Sequence, residues 1–509
     1  MPSVKKRLCA AIMLCAVVLS LSSCLIVINE AEETSAAVTT EGAVQTDAPI
    51  ATEQMPEENV PSANEQAKHR LESMLDYDMD GKSFILVTTD SNTPLPSGNT
   101  RILDKTRWEI LNDVSEKYGA ELIVTRANRT KMISEFLESA NAGLYYADIL
   151  CAQSAEMGSL FAEKLVADLS DLPFLDLDAD YYYSMATESV TVNGRVYGVA
   201  GEASVDYDVF GCVFADLDQL NSMNVDIYAD VDSGKWTYDK LLEYAKLFEY
   251  AEDGSYKNTN AISSFVDKSK AVEYLVESTG VRYVYSENGV QSIYSPVGTP
   301  QRVVETVRSV FYSGNWGYFL TEDEALKYEE TELSDPADLE QLDVLLMGKG
   351  LFYFSTLNDL ARLYFTGRQL VPVPMPKLDE EQGSYVTPTV GEACFLYIPA
   401  DGANITESAI LIEALNARAK GAAAEAYVTN ALHYYIRNEK SVEMIETIIA
   451  RPYFDLAVNF GSRYGALRLV AANVIRQAAE DGFDVLDVHY WNYASAVEAL
   501  AEIRAAAQQ

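Results

Sequence analysis

The 509-residue sequence is poor in histidine and lacks the motifs that mark most catalytic sites. Its three histidines are His69, His433 and His489, and no H-E-x-x-H, C-x-x-C, G-x-S-x-G or phosphate-binding glycine loop occurs. With 77 acidic residues, neighbouring carboxylates are unavoidable, so no pair stands out as a glycosidase dyad. We therefore predict a binding protein rather than an enzyme, with no catalytic residue, metal or cofactor.

Cysteine is scarce in the body of the chain, where only Cys151, Cys212 and Cys394 occur. Widely spaced cysteines give no disulfide framework, and a free cysteine beside apolar residues is most often a small buried hydrophobe. We predict that all three lie in the core. Use in zinc binding or redox chemistry is the minor alternative.

Long apolar runs are absent after the N-terminal segment, since no later stretch offers roughly 18 consecutive apolar residues. The N-terminus has a positive segment, Lys5-Lys6-Arg7, then an apolar segment, Leu8–Leu19, and then Leu21-Ser22-Ser23-Cys24. This ending resembles a bacterial lipobox, which implies that residues 1–23 are a signal peptide and that Cys24 carries lipid. An ordinary cleaved signal peptide is the alternative.

Residues 24–80 are predicted to be the lipidated cysteine followed by a flexible linker. From Asn29 to about Lys68 there is no aromatic residue and no periodicity, so this stretch cannot bury enough apolar surface to fold. Asp76 to Gly81 has the spacing with which an EF-hand calcium loop begins, but Val87 stands where the loop needs glutamate. We interpret it as an acidic turn before the first strand.

The formal net charge is −39 and the isoelectric point is near 4.3. Such acidity argues against binding to nucleic acid and against direct binding to anionic lipid. It weakly favours neutral or cationic ligands.

Strand and helix patterns alternate after residue 81, which predicts an open, mostly parallel sheet. Apolar runs at Ser83–Asp90, Glu121–Thr125 and Ala147–Cys151 alternate with stretches of helical spacing. In such sheets ligands bind beyond the carboxyl ends of the strands. Polar residues follow two of these strands, namely Asp90, Gln153, Ser154 and Glu156. We predict that they contact a ligand, and simple solvation is the alternative.

The stretch Asn193–Phe248 organises the chain: a turn and short strand are followed by a crossing and, later, by a helix that Thr237 can cap. Tyr197-Gly198-Val199, then Trp236-Thr237-Tyr238-Asp239, resemble the "YGVP" and "WTWDE" segments of bacterial extracellular solute-binding proteins, the receptors of ABC importers. Ala200 replaces the usual proline. The order of such segments along the chain resembles the sugar-receptor group of this family.

The resemblance implies an α/β fold of two lobes, each a mostly parallel sheet flanked by helices, with a ligand cleft between them. Lobe one is expected to hold residues 81–203 and 396–458, and lobe two residues 204–395 and 459–509. It implies further ligand contacts at the crossing, after a later strand and before the last helices. These are Glu202, Asp206, Tyr207, Asn358 and Tyr464.

The resemblance also implies a function. The protein would be a monomer, held by lipid on the outer face of the bacterial cell membrane, that binds a small solute by hinge closure. It would deliver that solute, by first expectation a carbohydrate, to ABC permease subunits. One alternative is a binding module or sensor partner without transport. A less favoured alternative is a lipid-anchored hydrolase of cell-surface glycan.

Overall fold

The computed structural model describes residues 61–89, 102–248, 250–252, 255–257, 261–287, 290–314, 317–330, 350–364, 368–436 and 438–508. The predicted signal peptide, Cys24 and Asp90 lie outside these ranges. Within them, no helix is both long and apolar enough to cross a lipid bilayer.

The first part of the chain alternates helices with strands, as the sequence predicts. Its elements are α1 Ala63–Glu72, β1 Ser83–Thr89, α2 Ile102–Tyr118, β2 Glu121–Ala127, α3 Met132–Asn141, β3 Ile149–Gln153, α4 Met157–Ala162, α5 Ser184–Ser189, β4 Thr191–Val192 and β5 Arg195–Val196. Every residue of β3 is buried, as expected for an apolar strand covered on both faces.

The middle part supplies a second set of strands. Its elements are β6 Gly211–Asp216, α6 Leu217–Ser222, α7 Ile227–Asp232, α8 Tyr238–Leu247, β7 Tyr250–Glu252, β8 Ser255–Lys257, β9 Ile262–Asp267, α9 Lys268–Ser278, β10 Val284–Glu287, β11 Val290–Ile293, α10 Thr299–Val307, β12 Gly317–Leu320, α11 Glu322–Glu330, β13 Phe352–Thr356, α12 Asp359–Tyr364 and β14 Leu370–Val373. Thr237 caps α8 by accepting a hydrogen bond from the Lys240 amide, as predicted.

The last part is mainly helical. Its elements are β15 Cys394–Tyr397, α13 Ile405–Ala419, α14 Ala422–Tyr434, α15 Glu439–Ile449, α16 Leu456–Gly461, α17 Gly465–Val470, α18 Ala472–Asp481 and α19 Val485–Ala506. Helices α13 and α14 contact α1 and α2, whereas α18 contacts α9 and α10.

Two main sheets form the framework. The first has the order β15-β3-β1-β2, in which β1 is parallel to β2 and β3 while β15 is antiparallel to β3. The second has the order β12-β9-β13-β6-β14. Its β9, β12 and β13 are parallel, and β6 is antiparallel to both of its neighbours. The predicted fold of two lobes, each a helix-flanked sheet, is confirmed.

Three segments join the two sheets, which we call the first crossing (200–210), the second crossing (386–393) and the third crossing (450–455). They run side by side. The Gly211 amide donates a hydrogen bond to the Pro388 carbonyl at 2.9 Å. The Thr387 amide donates to the Arg451 carbonyl at 2.9 Å, and the Tyr453 amide donates to the Thr387 carbonyl at 2.7 Å. A Cβ on Gly211 would lie 2.6 Å from Pro388, so this close approach requires glycine.

The placement of α15 differs from the predicted lobe boundary. Residues 396–458 were assigned to the first lobe, but α15 contacts β14 of the second sheet as well as α14. An amphipathic pattern predicts a helix but does not say which sheet its apolar face will meet. The remaining lobe boundaries stay predictions.

The predicted linker is too long. Ser62 caps α1, and its side chain forms a capping box with Glu65. Ala67 and Leu71 are buried where α1 packs on α13 and α14, and Arg70 donates to the Ala417 carbonyl at 2.8 Å. An apolar stripe of two residues was too short to stand out as helical periodicity.

The acidic turn at residues 76–81 is held by local contacts. Asp76 pairs with Lys117 at 2.7 Å, and Asp78 accepts a hydrogen bond from the Asp80 amide at 2.9 Å. In the described part of the chain, no group of three or more His, Cys, Asp or Glu side chains is placed to hold a metal ion.

The packing of α1 can be tested by Leu71→Ala, which removes a buried side chain. We expect a loss of about 2–3 kcal/mol in the free energy of unfolding, because large-to-small changes in a core leave a cavity. Leu75→Ala is the matched control, since Leu75 is exposed, and it should cost less than about 0.5 kcal/mol. Urea unfolding followed by circular dichroism measures both. Equal, small losses of unfolding free energy for both variants would show that α1 is part of the linker and not of the packed structure.

Candidate ligand-binding cleft

Residues from both lobes and from the crossings line a cavity of about 70 Å³, which we call the first cavity. Ala155 contributes from the turn after β3, and Val390 from the second crossing. Glu273 and Glu277 of α9 line it from the second lobe, and Arg468 from α17. This volume is room for a few water molecules, so the arrangement of the lobes seen here holds no sugar-sized space at this place.

Two polar side chains at the end of β3 have no hydrogen-bond partner within the described residues. Gln153 ends β3 at 1% exposure and Ser154 follows it at 0%. Neither the amide oxygen and nitrogen of Gln153 nor the hydroxyl of Ser154 makes a hydrogen bond within the described residues. Most buried polar groups are paired, because an unpaired group loses its hydration without compensation. These two are therefore suited to a polar ligand at the carboxyl end of β3.

Glu277 is the most deeply buried acid of the first cavity. Its Oε2 accepts hydrogen bonds from the Thr389 and Val390 amides at 2.9 and 3.0 Å. Burial raises its pKa to about 8, with the nearby charges of Glu273 and Asp455 adding to the rise. Glu277 thus both holds the second crossing and lines the cavity.

Tyr283 lines the same cavity from the chain after α9. It is fully buried, and its hydroxyl has no hydrogen-bond partner within the described part of the chain. Its amide donates to Asp455 Oδ2 at 2.8 Å, so its backbone is fixed by the third crossing. Its backbone and ring are thus fixed at the wall of the first cavity.

A second cavity, of about 80 Å³, also lies between the lobes. It is lined by Leu103 and Tyr427 from the first lobe, by Asn358 from the second and by Asp208 from the first crossing. The Tyr427 hydroxyl donates a hydrogen bond to Asp208 Oδ1 at 2.9 Å. The backbone amide of Asn358 donates to the backbone carbonyl of Asp208 at 3.0 Å. Asn358 thus lies at the second cavity, and its contact with a ligand stays a prediction.

Asp206 and Tyr207 lie beside these residues on the first crossing. Asp206 Oδ1 is 3.8 Å from Arg107 Nη2, and both side chains are buried. The Tyr207 ring lies 5.0 Å from that of Tyr427 and 5.5 Å from that of Phe210, measured between centroids. Burial raises the pKa of Tyr207 well above its ordinary value, so its hydroxyl keeps its proton.

Glu202 has a different place from the predicted one. Its carboxylate oxygens accept hydrogen bonds from the Gly421 and Ala424 amides at 2.9 and 3.1 Å, so it caps α14. These contacts use its oxygens for structure, and Glu202 lines neither cavity. The sequence places it on a crossing but does not reveal the helix end it meets.

The other predicted residues are scattered. Glu156 is half buried, and burial raises its pKa while Arg129 opposes that rise. Tyr464 precedes α17, with its ring centroid 6.4 Å from that of Phe460, and it lines neither cavity. Of the predicted residues, Asn358 lines the second cavity. Gln153 and Ser154 precede Ala155, which lines the first cavity, and Asp206 and Tyr207 precede Asp208, which lines the second.

The sequence reasoning missed several lining residues, namely Glu273, Glu277, Tyr283, Tyr427 and Arg468. A signal existed for the two glutamates. They are spaced i, i+4 on α9, among buried residues such as Leu275 and Val276. A carboxylate that interrupts an apolar helix face has to find a partner or a ligand, because its burial is otherwise costly.

Glu277→Gln tests the protonation of this carboxyl. Its folded pKa of about 8 exceeds the ordinary value of 4.5, so between these values the folded protein holds a proton that the unfolded chain has released. Stability contributed by this group therefore falls as pH rises, by about 1.4 kcal/mol per pH unit inside that window. Unfolding free energies between about pH 5 and 8 should fall less steeply for the variant.

The exposed Glu305 supplies the control, because Glu305→Gln should keep the wild-type slope. Identical slopes for wild type and Glu277→Gln would contradict the raised pKa.

Comparison with known proteins gives no match at the level of a family model or of a curated protein. Solved structures do match. A cyclo/maltodextrin-binding protein complexed with maltotetraose is 14% identical, with a TM-score of 0.51 over 84% of this chain and 98% of that chain. The sugar-binding protein MalE from the phytopathogen Xanthomonas citri is 12% identical, with a TM-score of 0.52 over 84% and 99%. These similarities show that the chain has the two-lobed fold of such binding proteins.

Proposed function

We propose that the chain is a solute receptor that binds a small solute, a carbohydrate by first expectation, in the cleft between its lobes. The observation that carries this proposal is the pair Gln153 and Ser154. Their buried, unpartnered polar atoms stand at the carboxyl end of a parallel strand, where open α/β sheets bind ligands, and the next residue, Ala155, lines the first cavity. A cyclo/maltodextrin-binding protein complexed with maltotetraose and a sugar-binding protein have the same fold, which supports the carbohydrate class.

The binding step follows from how the cleft is built. A solute that contacts Gln153 on the first lobe and α9 on the second makes its full set of contacts only when the lobes are close. Such a ligand favours the closed arrangement by the free energy of the contacts that the open arrangement lacks. Closure would take place about the three crossings. ABC permease subunits would then recognise the closed receptor and accept the solute.

A thermal-shift screen of the full-length chain against mono- and oligosaccharides tests the receptor. A hundredfold excess of ligand over Kd stabilises the folded state by about 2.7 kcal/mol, which raises the melting temperature clearly. Gln153→Ala should weaken binding of the sugar so found about tenfold, because it removes a buried hydrogen-bonding group.

The matched control is Gln301→Ala, at an exposed position of α10, which should bind as the wild type does. If a folded sample shows no shift in melting temperature with any sugar of the panel, the proposed receptor function is wrong.

The membrane anchor is a second part of the proposal. The lipobox-like Leu21-Ser22-Ser23-Cys24 places lipid on Cys24, which would hold the receptor at the outer face of the cell membrane. Cys24→Ala should prevent incorporation of a labelled fatty acid and move the protein from the membrane fraction to the soluble fraction. Ser23→Ala should stay anchored. An unlabelled wild-type protein would contradict lipidation.

A further inference from the structure

Two cysteines of the first lobe are in contact in the core. Cys151 lies in β3 at 1% exposure, and Cys394 begins β15 at 0% exposure. A hydrogen bond joins their two thiols. Cys212 is buried as well, but it lies in β6 of the second sheet. The fold therefore brings two thiols together from distant parts of the sequence.

The register of the two strands explains this contact. β15 runs antiparallel to β3, with Cys394 opposite Gln153. Leu396 is opposite Cys151, so the two cysteines are diagonal neighbours on the same face of the sheet. The right-handed twist of a sheet shortens one of its two diagonals. Because the thiols touch, both side chains point toward the position that a bond between them would occupy.

The compartment decides what such a pair becomes. In a reducing cytosol, two touching thiols stay reduced and pack as small apolar groups. Outside the cell membrane, disulfides form and persist. The positive segment Lys5-Lys6-Arg7 and the apolar segment Leu8–Leu19 predict export to that side. The thiol pair would therefore reside under oxidising conditions.

We propose that Cys151 and Cys394 form a disulfide after export, which ties β15 to β3. The bond goes beyond the receptor function and does not depend on which solute is bound. Cys394 follows the second crossing directly, and Cys151 lies two residues before Gln153. One covalent link thus holds the end of the second crossing beside the candidate ligand-binding end of β3.

The reaction is thiol–disulfide exchange with a disulfide oxidant such as oxidised glutathione. One cysteine loses its proton and attacks a sulfur of the oxidant, which breaks the S–S bond of the oxidant and leaves a mixed disulfide. The second cysteine loses its proton and attacks the protein sulfur of that mixed disulfide. Two protein thiols are oxidised to one S–S bond, and the oxidant is reduced to two thiols that take up the two protons.

The exchange takes place while the strands are open. The hydrogen bond to Cys151 and burial raise the pKa of Cys394 well above its ordinary value, so the packed thiol is rarely the reactive thiolate. β15 lies at the edge of its sheet, where an isolated bridge joins Leu396 to Val199. Folding, or local opening of this edge strand, exposes both thiols. After closure, burial protects the bond from reductants.

Peptide mapping of the wild-type full-length chain tests the bond. The protein is incubated with oxidised glutathione in sub-denaturing urea, which favours local opening. It is then denatured, alkylated with iodoacetamide in the absence of reductant and digested with trypsin. Tryptic cleavage places Cys151 in the peptide 132–164 and Cys394 in the peptide 378–418.

We expect one species that contains both peptides, is lighter than their sum by two hydrogen atoms and separates on addition of dithiothreitol. Cys212, in the peptide 196–235, is the internal control and should be alkylated. Cys151→Ser should abolish the linked species, whereas Cys212→Ser should keep it. The linked protein should melt a few degrees above the reduced protein, because the bond restricts the unfolded chain.

Three results would overturn the disulfide. The first is full alkylation of Cys151 and Cys394, and the second is glutathione on either cysteine with no link between them. The third is a linked protein that melts no higher than the reduced protein, since the strand register would then not accommodate the bond. The mapping uses the wild type, so it stays decisive if Cys151→Ser fails to fold. The sugar screen tests the receptor function separately.

Discussion

The hydrogen bonds that buried carboxylates make at the crossings are the constraint on which the two-lobed structure depends. A segment that passes between two sheets has amides that neither sheet can satisfy, and a buried amide needs an acceptor. Glu277 supplies that acceptor for Thr389 and Val390. Asp455, on the third crossing, accepts from the Tyr283 and Ala457 amides. These acids join elements that no strand pairing connects.

Backbone hydrogen bonds also tie the three crossings to one another. Thr387 and Tyr453 tie the second and third crossings together, and Gly211 ties the first crossing to the second. The three segments therefore behave as one ribbon, since bending any one of them strains hydrogen bonds to another. Hinge closure absorbs its backbone changes at a few residues that end regular elements.

The sequence predicts the sheets better than the site. Ile149 to Gln153 is readable as a strand because an apolar run covered on both faces needs no alternation. The same reasoning finds Gln153 and Ser154, since they follow that strand. It fails for Glu202, because the Gly421 amide that Glu202 binds lies far along the chain. It fails for Glu277 for the same reason, since the amides opposite it belong to the second crossing. Contacts between distant segments leave no local periodicity, and the acids at such contacts look like solvated residues.

Glu277 connects the crossing with the cavity through one side chain. An ionised carboxylate accepts amide hydrogen bonds more strongly than a neutral one does, because the charge assists the bond. A solute group that changes the charge of Glu277 therefore changes how firmly the Thr389 and Val390 amides are held. Coupling of this kind is reciprocal, so an arrangement of the second crossing that strengthens those two bonds also favours the ionised carboxylate. The protonation of Glu277 and the hydrogen bonding of the second crossing are thus linked at a single residue of α9.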